Sequence, residues 1–405
     1  MLFQTLDDKS ECVGIYTDGK LYFDLGDVPT GLSRTWSYSP YLRDTGAEYA
    51  SLYLEGREIR SVLPEYLQDD WSDCVKQMRS FKRSLNISKV NLHENCFFDL
   101  VPDRFLLDYC RVKDTITSYV FNKVSRPARY RFYHAVSEML GDIAQRDIKV
   151  DVRKLNSLQT PKLSRQIDKI KQTHKRVSYN QFGTKTGRLT TSSDSFPILT
   201  LHKSLRSAIR PVNDFFIEID FNGAEVRTLL GLLQQPQPVG DIHDFHLENI
   251  FTHLSTREES KVAFFAWLYG SRDQTNIQAI KKLETHYNRQ EILDKHYQNG
   301  TVTSPYGKVI YEVTQHHALN YLVQSTAAEL TLKQALKVEY FLRSKEVKSF
   351  LSFIIHDSIV LDVCEEDLKY IKAVSHLMSS TNFGMFDINI KKGKTLGTLE
   401  RYQNG

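Results

Sequence analysis

One segment restricts the fold more than any other. Residues 352–361 read Ser-Phe-Ile-Ile-His-Asp-Ser-Ile-Val-Leu, two strongly apolar half-strands around a His356-Asp357-Ser358 tip. His and Asp are costly to bury unpaired within so apolar a run, so the tip is expected at a hairpin turn. Ordinary turn chemistry accounts for such a tip by itself, because Asp and Ser are good turn formers. A second acid closes another strand, Asp-Phe-Phe-Ile-Glu-Ile-Asp over 214–220. Strand side chains alternate, so Phe215, Ile217 and Ile219 share one face and Glu218 and Asp220 the other. Asp220 is thereby presented at the strand's end on a polar face, where a solvated turn or a helix cap also places acids.

A third segment, residues 257–270, carries Arg257, Lys261, Phe265 and Tyr269 at every fourth position. On a helix these drift only ~40° per step and span ~18 Å. Glu258 and Glu259 point elsewhere, which leaves the two cations unneutralised on that face. Two cations followed by two aromatics suit a ligand with phosphates at one end and a flat base at the other. An amphipathic core helix with cations at its exposed end has the same spacing.

Around these segments the second half alternates strand and helix. A helix follows Gly223 to Leu233, and Pro236 and Pro238 mark a loop. A long helical stretch covers 242–298, ended by Asn299-Gly300. Then come a hairpin from Val302 to Tyr311, a helix over 315–345, the hairpin from Phe350 to Val363, and a helix over 365–380. The first 70 residues show short β-type runs with an Asp18-Gly19 hairpin signal, and 71–150 is mostly helical. Residues 162–188 are rich in Lys and Arg against Asp168 alone.

Composition narrows the class. A chain of 405 residues, 41% apolar and 25% charged, affords two or three globular domains. The balance of 53 basic and 49 acidic side chains is too mild to identify a partner. No run of ~18 apolar residues occurs, so no membrane-spanning helix is expected, and the amino terminus does not read as a secretory signal. Five dispersed cysteines without a C-x-x-C pair indicate neither a zinc site nor a disulfide framework. Reduced cytosol, the host's if the protein is viral, is the expected setting.

In order, these segments resemble the polymerase module of family A DNA polymerases, the bacterial DNA polymerase I family with its phage and mitochondrial relatives. Asp220-Phe-Asn-Gly-Ala-Glu225-Val-Arg227 resembles motif A, D-Y-S-Q-I-E-L-R. Arg257, Lys261, Phe265, Tyr269 and Gly270 match the spaced positions of motif B, and His356-Asp357 resembles motif C, H-D-E. Thr186-Gly187-Arg188-Leu189-Thr190-Thr191 is similar to T-G-R-L-S-S, and Asp241-Ile242-His243 to the D-I-H that leads into motif B. Asn320-Tyr-Leu-Val-Gln324-Ser-Thr-Ala-Ala-Glu is similar to N-x-x-x-Q-G-T-A-A-D. The cover is strong from about 180 to 390.

The resemblance implies an α+β right-hand polymerase fold with an antiparallel palm sheet, helical fingers and a reduced helical thumb. A small β-rich and helical N-terminal domain of unknown role would occupy 1–130. The thumb and its junction would occupy 131–200, the palm 201–235 and 312–405, and the fingers 236–311. It implies template-directed addition of deoxynucleotides to a primer 3′-hydroxyl. Phosphoryl transfer of this kind uses two Mg²⁺ ions ~3.5–4 Å apart, with Mn²⁺ as a substitute. The ligands would be Asp220, Asp357 and the backbone carbonyl of Phe221. Arg257, Lys261 and His243 would neutralise the incoming triphosphate, with Lys261 also protonating the departing pyrophosphate. Phe265 would lie by the sugar, Tyr269 by the templating position, and Glu225 would exclude a 2′-hydroxyl. Arg188, Gln324, Asn320 and His356 would contact DNA, Arg188 and Gln324 as minor-groove donors. The basic stretch that includes Lys175 and Arg176 would track phosphates.

Several positions depart from the family pattern. Ser358 stands where motif C usually has Glu, leaving two acids as certain ligands. His316 stands in place of Arg, Ser325 in place of Gly, and Ser195-Phe196-Pro197-Ile198-Leu199 in place of P-N-L-Q. Only 137 positions separate Asp220 from Asp357, which implies trimmed fingers. With a thumb also short, low processivity and a clamp-like partner are expected. Residues 1–130 are too few for the family's proofreading domain and hold no D-x-E start. The adjacent pairs Asp7-Asp8 and Asp69-Asp70 read as surface or cap residues, so no 3′→5′ exonuclease is expected on this chain. A separate exonuclease would then be needed, and the short form leans towards a phage or mobile-element replication enzyme. The competing readings are a single-subunit RNA polymerase, disfavoured by Glu225, and a catalytically weakened relative serving as a DNA-binding subunit, with Ser358 as the mark of decay.

Overall fold

The computed structural model describes residues 1–9, 11–92, 94–173, 175–251, 254–270 and 277–402. Within the expected helical stretch 242–298, positions 252–253 and 271–276 lie outside the described residues. The chain forms two compact units, residues 1–145 and 146–405.

In the first unit, strands Gln4–Asp8, Glu11–Thr17 and Lys20–Tyr22 make an antiparallel meander. Thr17 pairs with Lys20 across Asp18 and Gly19, whose φ angles are +50° and +77°. That left-handed pair is what a two-residue turn between right-twisted strands requires. Helices Glu65–Ile87, Asp103–Lys123 and Tyr130–Ala144 follow. The first of them turns Leu67, Trp71, Cys74, Met78, Phe81 and Leu85 inward, at alternating steps of four and three. This is the narrow apolar stripe of a helix packed along one seam. Met78, Phe81 and Leu85 pack with Leu6, Tyr16, Phe105 and Leu106, while Leu67 and Trp71 join Leu63 and Ile116. Asp7, Asp69 and Asp70 are exposed, and Asp7 accepts hydrogen bonds from Ser39 Oγ at 2.6 Å and Thr5 Oγ1 at 2.7 Å.

The second unit is built on a five-stranded antiparallel sheet. Its spatial order is Phe350–Ile355, Ser358–Val363, Phe215–Phe221, Ile388–Gly393, Glu400–Arg401. Phe215–Phe221 is central, and Ile217, Ile219, Ile359 and Leu361 are fully buried. Such all-apolar rows need cover, and the helix Ile371–Ser379 packs on the two strands 215–221 and 388–393. The helix Gln315–Ser344 packs on Phe350–Ile355.

A second core gathers Phe251, Phe264, Trp267, Tyr287 and Leu319. Helices Ile242–Asn249, Arg257–Leu268, Ile277–Tyr287 and Arg289–His296 contribute to it. The expected long helical stretch thus ends at His296. Asn299 and Gly300, with φ +48° and +77°, instead turn the chain between the short strands Tyr297–Gln298 and Thr301–Thr303. The expected 365–380 helix opens as a 3₁₀ segment, Glu365–Tyr370. Strand Ile388–Gly393 has no counterpart in the sequence reading, because Ile-Asn-Ile-Lys-Lys-Gly shows neither a long alternation nor a flanking turn signal.

Candidate active site

The register of the central sheet assembles the acids. Asp220 lies directly opposite Ser358 on one side and Asn389 on the other. Ile355 pairs with Ser358, so His356 and Asp357 are the two residues of the turn. Asp357 therefore emerges one residue from the neighbour of Asp220, although 137 positions part the two in the chain. His356 carries φ +55° and is exposed, a left-handed conformation that His adopts more readily than most non-glycine residues. Ser358 is buried, and its Oγ donates to the Ile355 carbonyl at 3.0 Å.

A cleft of about 280 Å³ opens on these acids. It is lined by Asp220, Phe221 and Asp357 from the sheet side, by Glu225 from the helix Ala224–Leu232 that follows the central strand, and by His243, Arg257, Lys261, Phe265 and Tyr269 from the other helices, with Arg188 from a loop. Thr256 starts the Arg257 helix with a complete capping box. Its Oγ1 accepts from Glu259 N–H at 3.2 Å, and Glu259 Oε2 accepts from Thr256 N–H at 3.0 Å. The four-residue spacing then turns Arg257, Lys261, Phe265 and Tyr269 to one side, and the Phe265 and Tyr269 rings lie 5.6 Å apart. Gly270 ends that helix with φ +72°, where a Cβ would come within 2.5 Å of the His316 ring.

The two cations differ from the expectation that both stand unneutralised. Arg257 Nη2 bonds Asp241 Oδ2 at 2.7 Å and Nη1 bonds Glu258 Oε1 at 2.9 Å. Asp241 comes from another helix, which spacing along one helix cannot reveal. Against the pull of burial, hydrogen bonds from Arg257, Asn222 and the His243 N–H hold the Asp241 carboxyl well below the usual range. Lys261 has no carboxylate partner within 4 Å among the described residues. His243 is buried and its Nδ1 has no partner. Burial, with the Arg257 charge beside it, lowers its pKa to about 4, so at neutral pH it offers a hydrogen bond and no charge.

The carboxylates are held uneasily. Burial, then the charges of Glu218 and Asp357, raise Asp220 to about 6, opposed by Lys391 and Lys261. Burial also raises Asp357, opposed by Arg188 and His356. Glu225 rises to about 7 through burial, although Arg188 pairs with it and Tyr269 bonds it. Tyr269 also bonds Gln324. Gln324, Asn320 and His316 lie four apart on the Gln315–Ser344 helix, and Asn320 Oδ1 is buried without a partner.

Among the described residues no cluster of three or more His, Cys, Asp or Glu side chains forms a ready metal cage. Two crowded carboxylates still fit a hard divalent cation, since Mg²⁺ typically takes one or two carboxylates and completes its shell with water and phosphates. The structure does not bring Lys175 and Arg176 to the cleft. Lys175 Nζ donates to the carbonyls of Ile170, Lys171 and Thr173, capping a helix end, and Arg176 pairs with Asp147 at 2.8 Å.

Other contributors, three of them inside the motif A match, were given no role by the sequence reading. Asn222 Nδ2 bonds Asp241 at 3.1 Å and its Oδ1 accepts from Ile242 N–H at 2.9 Å. Arg227 is fully buried and donates to the carbonyls of Asn222, Pro238 and Gly240, fixing the loop that delivers Asp241 and His243. Gly223, with φ +68°, leaves no room for a Cβ beside Ile242. Asn389 stands on the unforeseen strand, so no sequence signal marked it.

The fold is that of a nucleic-acid polymerase domain. A solved structure similar to it is the POL domain of Pol1 from M. smegmatis in complex with DNA primer-template and dNTP, with a TM-score of 0.71 over 98% of this chain and 95% of that one, at 11% identity. No protein-family model matches the chain, and no curated protein matches it in sequence. At that identity the likeness establishes the fold, and the fold coincides with the one the motifs point to.

Proposed function

We propose that the chain is a template-directed DNA polymerase, a nucleotidyltransferase of the family A type that extends a primer 3′-hydroxyl with deoxynucleotides. One observation carries this reading. Two acids 137 positions apart converge on a single cleft, and a helix on its far side presents Arg257 and Lys261. In this reading the sheet is the palm, the helices within 236–311 are the fingers, and 131–200 supplies a reduced thumb.

Asp220, Asp357 and the Phe221 carbonyl would hold the Mg²⁺ ions, which when bound activate the primer hydroxyl and neutralise the leaving pyrophosphate. Arg257, prepositioned by Asp241, binds triphosphate oxygens in its fixed fork. Lys261 contributes a mobile charge and a proton for the departing pyrophosphate, and neutral His243 donates a hydrogen bond. Phe265 and Tyr269 flank the sugar and the templating base. Glu225, tethered by Tyr269 and Arg188, closes the space a 2′-hydroxyl needs. Arg188, Asn320, Gln324 and His356 face the primer–template. Arg188 thereby links the reading of the primer terminus to the sugar gate.

Primer-template DNA and deoxynucleoside triphosphates are the partners of this reading. Proofreading is assigned to another protein, because residues 1–130 hold no D-x-E start. A clamp is assigned for processivity, which single-encounter primer extension tests. No helix among the described residues is long and apolar enough to cross a membrane, and a cytoplasmic setting accords with the free cysteines. Ser358, with its hydroxyl spent on Ile355, favours a second reading as a DNA-binding subunit that has lost its chemistry. Primer extension with Mg²⁺ separates the two. Asp357→Ala is expected to slow extension more than about a thousandfold, about 4 kcal/mol of barrier, with primer-template affinity retained. Wild-type protein that binds primer-template but never extends it decides for the second reading.

A further inference from the structure

Resting on the polymerase reading, we propose that Glu218 is the third carboxylate of the metal site. It would act as a positioning residue through water, in place of the acid that Ser358 lacks. The sheet register places it there. Glu218 and Asp220 lie two residues apart on the same strand face, about 6.6 Å at strand rise. Val360 and Lys391 lie opposite Glu218, one step along from Ser358 and Asn389 opposite Asp220. Asp220 is thus flanked on its own face by a longer acid, one step back along the strand from the residues that line the cleft.

Burial argues against an incidental carboxylate: the Glu218 side chain is 11% exposed, in the central strand beside Phe216 and Val360. A buried carboxylate there costs free energy that an apolar residue would not. Its one ion-pair partner among the described residues is Lys391 Nζ at 3.0 Å, itself 42% exposed at the side chain. Lys391 offsets part of that cost and fixes the carboxylate on the acid face. The position after the hairpin turn cannot supply the missing charge, because Ser358 Oγ is buried and already donates to Ile355. Acids that hold the water and ligands around a metal typically change its affinity 10–100-fold when removed.

The test uses the full chain with a primer–template whose primer lacks a 3′-hydroxyl, together with the next dNTP, so that no turnover occurs. Bound Mn²⁺ is counted by the loss of the free-ion electron paramagnetic signal. Glu218→Gln, which keeps shape and a hydrogen bond to Lys391, is expected to raise the Mn²⁺ midpoint about tenfold. Lys391→Met is expected to lower the midpoint, because Glu218 is released towards the site. A midpoint unchanged by Glu218→Gln but raised by Asp357→Asn overturns the proposal and leaves Glu218 as a structural partner of Lys391. A midpoint unchanged by Asp357→Asn as well overturns the metal reading itself. Should Glu218→Gln fail to fold by circular dichroism, Lys391→Met decides alone: an unchanged midpoint counts against the role.

Discussion

His246 is fully buried, stacks on Phe264 at 5.2 Å and bonds the Tyr287 hydroxyl, and burial with the neighbouring His243 and His286 lowers its pKa to about 3. Unfolded, it titrates near 6.5. Between these values the unfolded chain binds a proton that the folded one refuses, so its contribution to stability falls as pH drops below 6.5. Asp220 and Glu225 titrate with the opposite sign, so the clean quantity is the difference between wild type and His246→Gln. Urea unfolding at pH 7.5 and 5.5 should show that difference shrinking, to the wild type's disadvantage, by about 1.4 kcal/mol; a constant difference refutes it. Glu225 makes a second prediction at this scale. Its carboxylate is tied to Arg188 and Tyr269, so it is a rigid wall and not a mobile side chain. Glu225→Ala should raise the ribonucleotide-to-deoxynucleotide incorporation ratio about 10–100-fold, and competition primer extension that finds the ratio unchanged removes the gate. Asp220 and Asp357 were legible through the motifs they resemble, and Arg257, Lys261, Phe265 and Tyr269 through their regular spacing as well. The Asp241 partner of Arg257 was not, since it arrives from a different helix.

Elements were legible where one local rule acted alone. The apolar arms of 350–363 and the Asp-Gly turn at 18–19 each announced a hairpin. Strand Ile388–Gly393 forms because the open edge of Phe215–Phe221 needs a partner, and such tertiary demand leaves no local pattern. The same limit hid Glu218, visible as a face-mate of Asp220 but without Lys391 opposite it. The capping box of the Arg257 helix joins local sequence to the site, because its first residue is the proposed triphosphate arm. Thr256→Ala should cost about 1 kcal/mol, seen as a lower urea midpoint. It should also raise KM for dNTP several-fold with kcat little changed, since Arg257 loses its fixed origin. Lost stability with KM unmoved would make the cap a matter of fold alone.

Across the whole molecule a net charge of +4 hides an uneven distribution. The helix Pro161–Gln172 buries Leu163, Ile167 and Ile170 and exposes Lys162, Arg165 and Lys169, three and four residues apart and so on one face. Its one acid, Asp168, accepts from Ser164 at 3.4 Å. Lys175 and Arg176, the other cations expected on DNA, are committed within the fold, which shifts the electrostatic footprint to this helix. Each phosphate neutralised releases condensed counterions and adds ~0.9 to the slope of log affinity against log salt. Replacing Lys162, Arg165 and Lys169 together by Ala should therefore flatten that slope by about 2.7. Fluorescence anisotropy with labelled primer–template across the range from about 50 to about 200 mM salt measures it. Affinity should fall most at low salt, while extension at saturating DNA stays unchanged, because none of the three lies in the cleft. Parallel salt curves for variant and wild type would place the duplex on another face of the protein.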